Sequence, residues 1–183
     1  SHKNNDGEAR MTKILLSFIV LLMSLQAYAY DMRITEAQLQ EQLNARMPWQ
    51  QAKSFVNLTI NNALVDLLPE GNRVRVTTDA KVMLNIGLQS SGTLVFEGDI
   101  RYKTEDHSFY IDNPVIIDMQ VEGMSPQLKP QVITLAQHSI EPALKDRPVY
   151  TLSDSDATQV MAKMMLKDLT IEKDEVILTL SPF

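Results

Sequence analysis

The residues of this chain that could do chemistry are few, and their spacing suits none of the common reactions. The histidines are His2, His107 and His138. No HExxH pair, no other paired metal spacing and no Ser-His-Asp order can be assembled from them. Asp154-Ser155-Asp156 opens like a calcium loop, but Gln159 stands where that loop needs glycine and Met165 where it needs a bidentate glutamate, so the run reads as a helix cap. The 6 glycines form neither GxGxxG nor GxxxxGK, and no phosphate cradle is encoded. Asn57-Leu58-Thr59 matches a glycosylation acceptor but lies inside a predicted strand and is read as strand. With 0 cysteines there is no disulfide, thiolate metal site, cysteine nucleophile or lipidated cysteine. The expectation is a protein that is not an enzyme and uses no metal or cofactor.

The bulk charge narrows the partners. Asp and Glu number 23 against 17 Lys and Arg, a net charge of -6, so no basic field exists to hold a phosphate backbone and no nucleic acid is expected. The first 10 residues, SHKNNDGEAR, match nothing that follows and read as a cloning leftover or an overextended start. Residues 11–29 read as a cleavable signal peptide: Lys13, the apolar run from Ile14 to Leu25, then Ala27-Tyr28-Ala29, with cleavage expected after Ala29. That run is short of the ~20 residues that span a bilayer. The expectation is an exported, periplasmic protein without a lipid anchor, whose residues 30–183 form one domain; hydrophobic residues make up 44% of the chain, enough to fill a core.

With no chemistry to position, the elements themselves carry the reading. Residues 35–47 form a short amphipathic helix, with Leu39, Leu43 and Met47 four apart, Thr35 as cap, Gln38 completing a capping box, and Pro48 as the stop. From Phe55 to Leu68 the apolar parity switches between Ile60 and Ala63, which calls for a β-bulge at Asn61-Asn62. After a turn at 69–72, residues 73–88 alternate from Val74 to Leu88 as one very long strand, apolar on one face and wet on the other. A turn over Gln89-Ser90-Ser91-Gly92 leads to a strand over 93–103. A further strand has Phe109, Ile111, Val115, Ile117, Met119 and Val121 on one face, with Pro114 marking an edge or a second bulge. Four long strands with short connections make an antiparallel meander.

Beyond Gly123 the period changes. Ser125-Pro126 starts the longest helix, whose stripe includes Val132, Leu135, Ala136, Ile140 and Ala143. Pro148-Val149-Tyr150 is extended. The next helix, capped by Ser153 or Asp154, puts Met161, Met164, Met165 and Leu169 on one face, and residues 169–180 close the chain as a hairpin. The fold class expected is α+β: a long, strongly curved antiparallel meander wrapped as a half-pipe around the long helix, because sheets of this length twist and coil.

The segments "NPVIIDMQVEGM" (113–124), "RPVYTLSDSD" (147–156) and "LKDLTIEKDEVILTL" (166–180) resemble the YceB-like family of bacterial envelope proteins, and the similarity runs from about Ile34 to Leu180. The resemblance implies a fold related to the tubular lipid-binding (TULIP) proteins, with a lipid-accessible cavity between curved sheet and helix. It transfers no named functional residues. Members of the family are commonly lipoproteins, and the absence of cysteine here points to a soluble carrier instead.

Two functions follow. In the first, the protein is a periplasmic, non-enzymatic binder of a lipid or other hydrophobic molecule, with transient membrane-surface contact. Parity then assigns the apolar lining to Val82, Leu84, Ile86, Phe96, Ile100, Ile117, Met119, Val132, Leu135 and Ile140. In the second, it is a structural or protein-interaction module of the envelope with a filled core, bound to an envelope protein partner and to no ligand.

Overall fold

The structure, a computed structural model, describes residues 29–53, 56–87 and 89–181; the start at 1–10 and all but the last residue of the expected signal peptide lie outside them. The elements in order are β1 (Tyr30–Thr35), α1 (Glu36–Asn44), β2 (Trp49–Lys53), β3 (Val56–Leu68), β4 (Arg73–Leu84), β5 (Gln89–Lys103), β6 (Ser108–Val121), α2 (Lys129–Leu144), β7 (Tyr150–Thr151), α3 (Ala157–Met165), β8 (Leu166–Glu172) and β9 (Glu175–Leu180). They build two antiparallel sheets, β2-β3-β4-β5-β6-β7 and β1-β9-β8, so the class is α+β.

Local signals explain much of this. Thr35 accepts from the Gln38 amide while the Gln38 side chain accepts from the Thr35 amide at 2.9 Å, which is the expected capping box of α1. In β3, Ile60 is buried and so are Ala63, Val65 and Leu67, because the register shifts between Ile60 and Asn62 at the expected bulge. In β4, Val74, Val76 and Thr78 face the core. On the opposite face, Arg75 reaches Glu97 at 2.6 Å and Asp66 at 3.8 Å, and Arg101 pairs with Asp112, a ladder that ties β3 to β6 in register.

Several expectations need correction. The long strand stops at Leu84 rather than Leu88, because Asn85, Ile86 and Gly87 make the turn, with Gly87 at φ 87°, a left-handed value that suits glycine. Gln89 to Gly92, read as a turn, belong to β5. β1 and β2 were not anticipated as strands. α3 is capped by Asp156, which accepts from the amides of Thr158 and Gln159, not by Ser153 or Asp154. It buries Gln159 and Ala162, leaving Met161 and Met164 to solvent. The short length of α3 lets only one narrow face reach the core.

β6 differs most. Its register against β5 shifts twice, between Glu97 and Asp99 and between Val95 and Phe96. The inner face therefore reads Phe109, Ile111, Pro114, Ile116, then Met119 and Val121, and the two extra residues cancel. Val115 and Ile117, placed inward by strict alternation, face outward and are about half exposed.

One core joins both sheets. Ile34, Val176, Leu178 and Leu180 from the small sheet meet Val65, Val74, Phe96, Phe109 and Ile111 from the large one, with Leu39 and Leu43 of α1 and Ile140 of α2. α2 does not run down the middle of the sheet. It lies along the open edge of β6, where Lys129 pairs with Asp118 at 3.3 Å, and Ile140 is its one buried residue.

Three glutamines close sheet edges. The amide of Gln40 donates to Ala63 O at 2.7 Å and accepts from Val65 N at 2.9 Å. Gln42 does the same to both backbone groups of Thr151, and Gln137 to Pro114 O and Ile116 N. Each side chain stands in for a missing strand, which satisfies the backbone and blocks that edge to other chains.

Candidate functional site

The ten lining residues read from parity do not converge on one enclosed cavity. Phe96 and Ile140 are part of the core. Ile100 lines the void inside it, and that void is about 10 Å³, too small to hold an acyl chain and marginal for a single water. Val82, Met119 and Val132 are half-buried away from the core, and the side chain of Leu84 lies outside the described ones. Ile86 is 78% exposed on the β4-β5 turn, Ile117 52% on the outer face of β6 and Leu135 70% on the solvent side of α2. These three are not lining residues; the early turn, the β6 bulge and the edge position of α2 are the causes.

What the strands do build is a face. The large sheet continues well past the core, and on β3, β4 and β6 its inner parity stays apolar as it goes, with Ser90 of β5 and Gln51 of β2 as polar neighbours. Leu58 stands opposite Val82 on β3 and β4, and Leu94 opposite Met119 and Gly92 opposite Val121 on β5 and β6. Leu58, Ala80, Val82, Leu94, Met119 and Val121 are all half-buried, whereas Val74 and Val76, further along the same strand, are 3% and 4% exposed. The reverse side of this region is mostly polar, with Asn57, Thr59, Asp79, Lys81, Thr93 and Gln120, and Met83 as an exposed exception. Gly92 matters here, since a Cβ would come within 2.2 Å of Gln120 O; β5 and β6 approach so closely that only glycine fits. α2 flanks the face along β6, with Val132, Ile133 and Ala136 half-buried.

At the other end of the strands lies a polar cluster around the β5-β6 turn. His107, at φ 53°, holds the Tyr102 hydroxyl at 3.1 Å, and Tyr110 donates to the Asp106 carboxylate. That hydrogen bond, with burial, pushes the Tyr110 phenol up to about 12. Arg46 reaches across from the end of α1 to Val149 O at 3.0 Å and Thr151 Oγ1 at 3.3 Å, and burial lowers its pKa. Ser108 meets Thr151 Oγ1 at 2.9 Å and not His107. The cluster fastens the Val149–Thr151 segment to β6 and α1, and its groups are spent on one another. His138 is exposed, with Nδ1 2.7 Å from Thr134 O within its own helix. Among the described residues no helix is long and apolar enough to cross a membrane.

A family model matches from residue 34, in β1, to residue 175, the first of β9, and so takes in all three helices, the whole of the large sheet and, of the small one, β8. The chain belongs to the DUF1439 family, proteins of unknown function. No curated protein matches the chain significantly. The DUF1439 match includes the half-exposed face of the large sheet, the polar cluster and the three edge glutamines alike.

Sequence reasoning missed the glutamines and, of the six face residues, all but Val82 and Met119. Gln40, Gln42 and Gln137 read as ordinary surface residues, and only the free backbone edges beside them give them a role. Leu58, Leu94 and Val121 were already visible as strand apolar positions; what no pattern shows is where along a strand the core stops.

Proposed function

We propose that the protein is a non-enzymatic binder of a lipid or another hydrophobic molecule in the periplasm, and that the ligand lies on the apolar inner face of the large sheet beyond the core. The observation that carries this is the change in burial along β4 without a change in polarity: from Val74 and Val76 to Ala80 and Val82 the strand remains apolar past the point where the protein covers it. A large apolar face left partly open is where a soluble protein meets a partner. An acyl chain laid across Leu58, Val82, Leu94 and Met119 gains about 0.8 kcal/mol per CH₂ removed from water. The reading keeps the relation to YceB-like and TULIP proteins, with the sheet as the acyl-binding wall and α2 as its flank, and export by the 11–29 segment places the ligand among envelope lipids.

The test is native mass spectrometry of protein exported to a bacterial periplasm and purified without detergent, with mass analysis of its organic extract. The expected result is an adduct that disappears on denaturation and appears in the extract as a lipid, and that Val82→Asp abolishes while the fold is kept. A bare mass, unchanged after incubation with vesicles of envelope lipids, overturns it. That outcome favours the second reading, an envelope interaction module, which draws on the filled core with its void of about 10 Å³.

A further inference from the structure

The two sheets part between β5 and β8, beside the β3-β4 turn, and leave a cleft of about 330 Å³. At roughly 30 Å³ per liquid water this is room for about eleven waters, at the small end of ligand pockets. Ile100, Tyr102, Leu166 and Leu169 give it apolar walls. Its polar groups are mostly engaged already. Asn72 Oδ1 accepts from Ile171 N at 2.7 Å, Asp168 Oδ1 from Leu169 N at 2.9 Å, and Asp99 from Asn113 Nδ2 at 3.0 Å with Arg73 at 3.7 Å. The Tyr102 hydroxyl is held by His107.

Lys167 is different. It is the extra residue where the β8-β9 register shifts between Leu166 and Asp168, it lines the cleft, and its ammonium makes no ion pair or hydrogen bond among the described residues. The charged side chains that line it are two carboxylates, Asp99, offset by Arg73 behind it, and Asp168, against one cation, Lys167, and of the three only Lys167 has no partner. A bulge re-aims a side chain, and this one holds an exposed, unpaired cation at the mouth of a cleft whose walls are both polar and apolar.

We propose that this cleft is a binding site for a small anionic amphiphile, its acid group on Lys167 and its short tail against Ile100, Tyr102, Leu166 and Leu169. The site stands apart from the open sheet face and does not depend on that reading. An ammonium and an acid group in contact at a solvent-lined mouth attract modestly, so the selectivity is a matter of several-fold.

The test is an NMR titration of the isotope-labelled exported protein with octanoate, octylammonium and octanol. Octanoate is expected to give saturable shifts at residues 99–102 and 166–169, with octanol weaker and octylammonium weakest. Lys167→Glu is expected to weaken octanoate at least about fivefold, with an unchanged melt. Val82→Asp, on the distant sheet face, is expected to leave it within about twofold. Octylammonium binding as tightly as octanoate, indifference to Lys167→Glu, or shifts confined to Leu58, Val82 and Met119 each overturn the proposal; the last two outcomes leave the sheet-face reading standing.

Discussion

Gln137 occupies the position of a strand beside Ile116: its Oε1 accepts from the Ile116 amide at 2.8 Å, while its Nε2 donates to Pro114 O at 2.7 Å. This is the ladder pattern of a β-bridge, made by a helix side chain. It explains why α2 lies at the sheet edge rather than on the sheet.

Removing that amide exposes two backbone groups at a half-buried edge. Gln137→Ala is expected to cost about 1–2 kcal/mol in urea denaturation. It also opens β6 to pairing, so concentration-dependent association in sedimentation is expected. Gln137→Glu keeps the acceptor and loses the donor, and falls between.

The boundary between core and open face makes opposite predictions for two apolar residues of one face. Phe96→Ala, deep in the core, is expected to cost about 3–5 kcal/mol, and Val82→Ala less than about 1. Lys81→Glu, on the wet face, is expected to leave the thermal midpoint near wild type. Equal losses at Phe96 and Val82 would mean that the core continues under Val82.

Gly98 sits opposite the first β6 bulge, where a Cβ would stand 2.3 Å from Ile111 Cγ2 and 2.8 Å from Asp112 O. Neither atom can retreat, one being packed in the core and the other backbone. Gly98→Ala is expected to lose about 2–3 kcal/mol through overpacking. Gly87→Ala meets nothing within 4 Å and pays only for its φ of 87°, about 1 kcal/mol. Chemical denaturation of the two variants separates the effects.

Tyr110 predicts an alkaline limb. Its phenol is raised from 10.0 to about 12 in the fold, so folding favours the neutral form. The stabilisation is complete below pH 10, the unfolded value, and is lost as pH climbs through about 12. Tyr110→Phe is expected to be less stable than wild type at pH 7 by about 1–2 kcal/mol, and the gap is expected to narrow between pH 10 and 12. A constant gap in urea melts across that range would assign the Tyr110 effect to packing alone.

How far the fold could be read from sequence depended on whether each signal was local. The capping box at Thr35 and Gln38 and the parity switch after Ile60 were legible because adjacent residues carry them. In β6 the two bulges cancel, so alternation places Phe109, Ile111, Met119 and Val121 correctly and misplaces Val115 and Ile117 between them. β2, WQQAK, has no apolar alternation and is a strand only because β3 is there to pair with it. The edge position of α2 hides in Gln137, a polar residue within an apolar stripe. Of the candidate face, Val82 and Met119 were legible by parity; Ile86 and Leu135 fall outside it, because parity does not register the local turn at Gly87 and the edge position of α2 is set by contacts far away in sequence.

β1 pairs with β9, with Arg33 and Glu175 bridging them at 2.7 Å across 142 positions. β9, the central strand of the small sheet, follows β8 in the chain, so Met32 and Ile34 are paired only by residues far later in sequence. Closure of the small sheet is therefore a long-range step: the β3 to β6 meander pairs strands that are neighbours in sequence, whereas β1 must find β9. Until β1 and β9 pair, the small sheet cannot cover the core, and the Arg33-Glu175 bridge exists only in the completed fold.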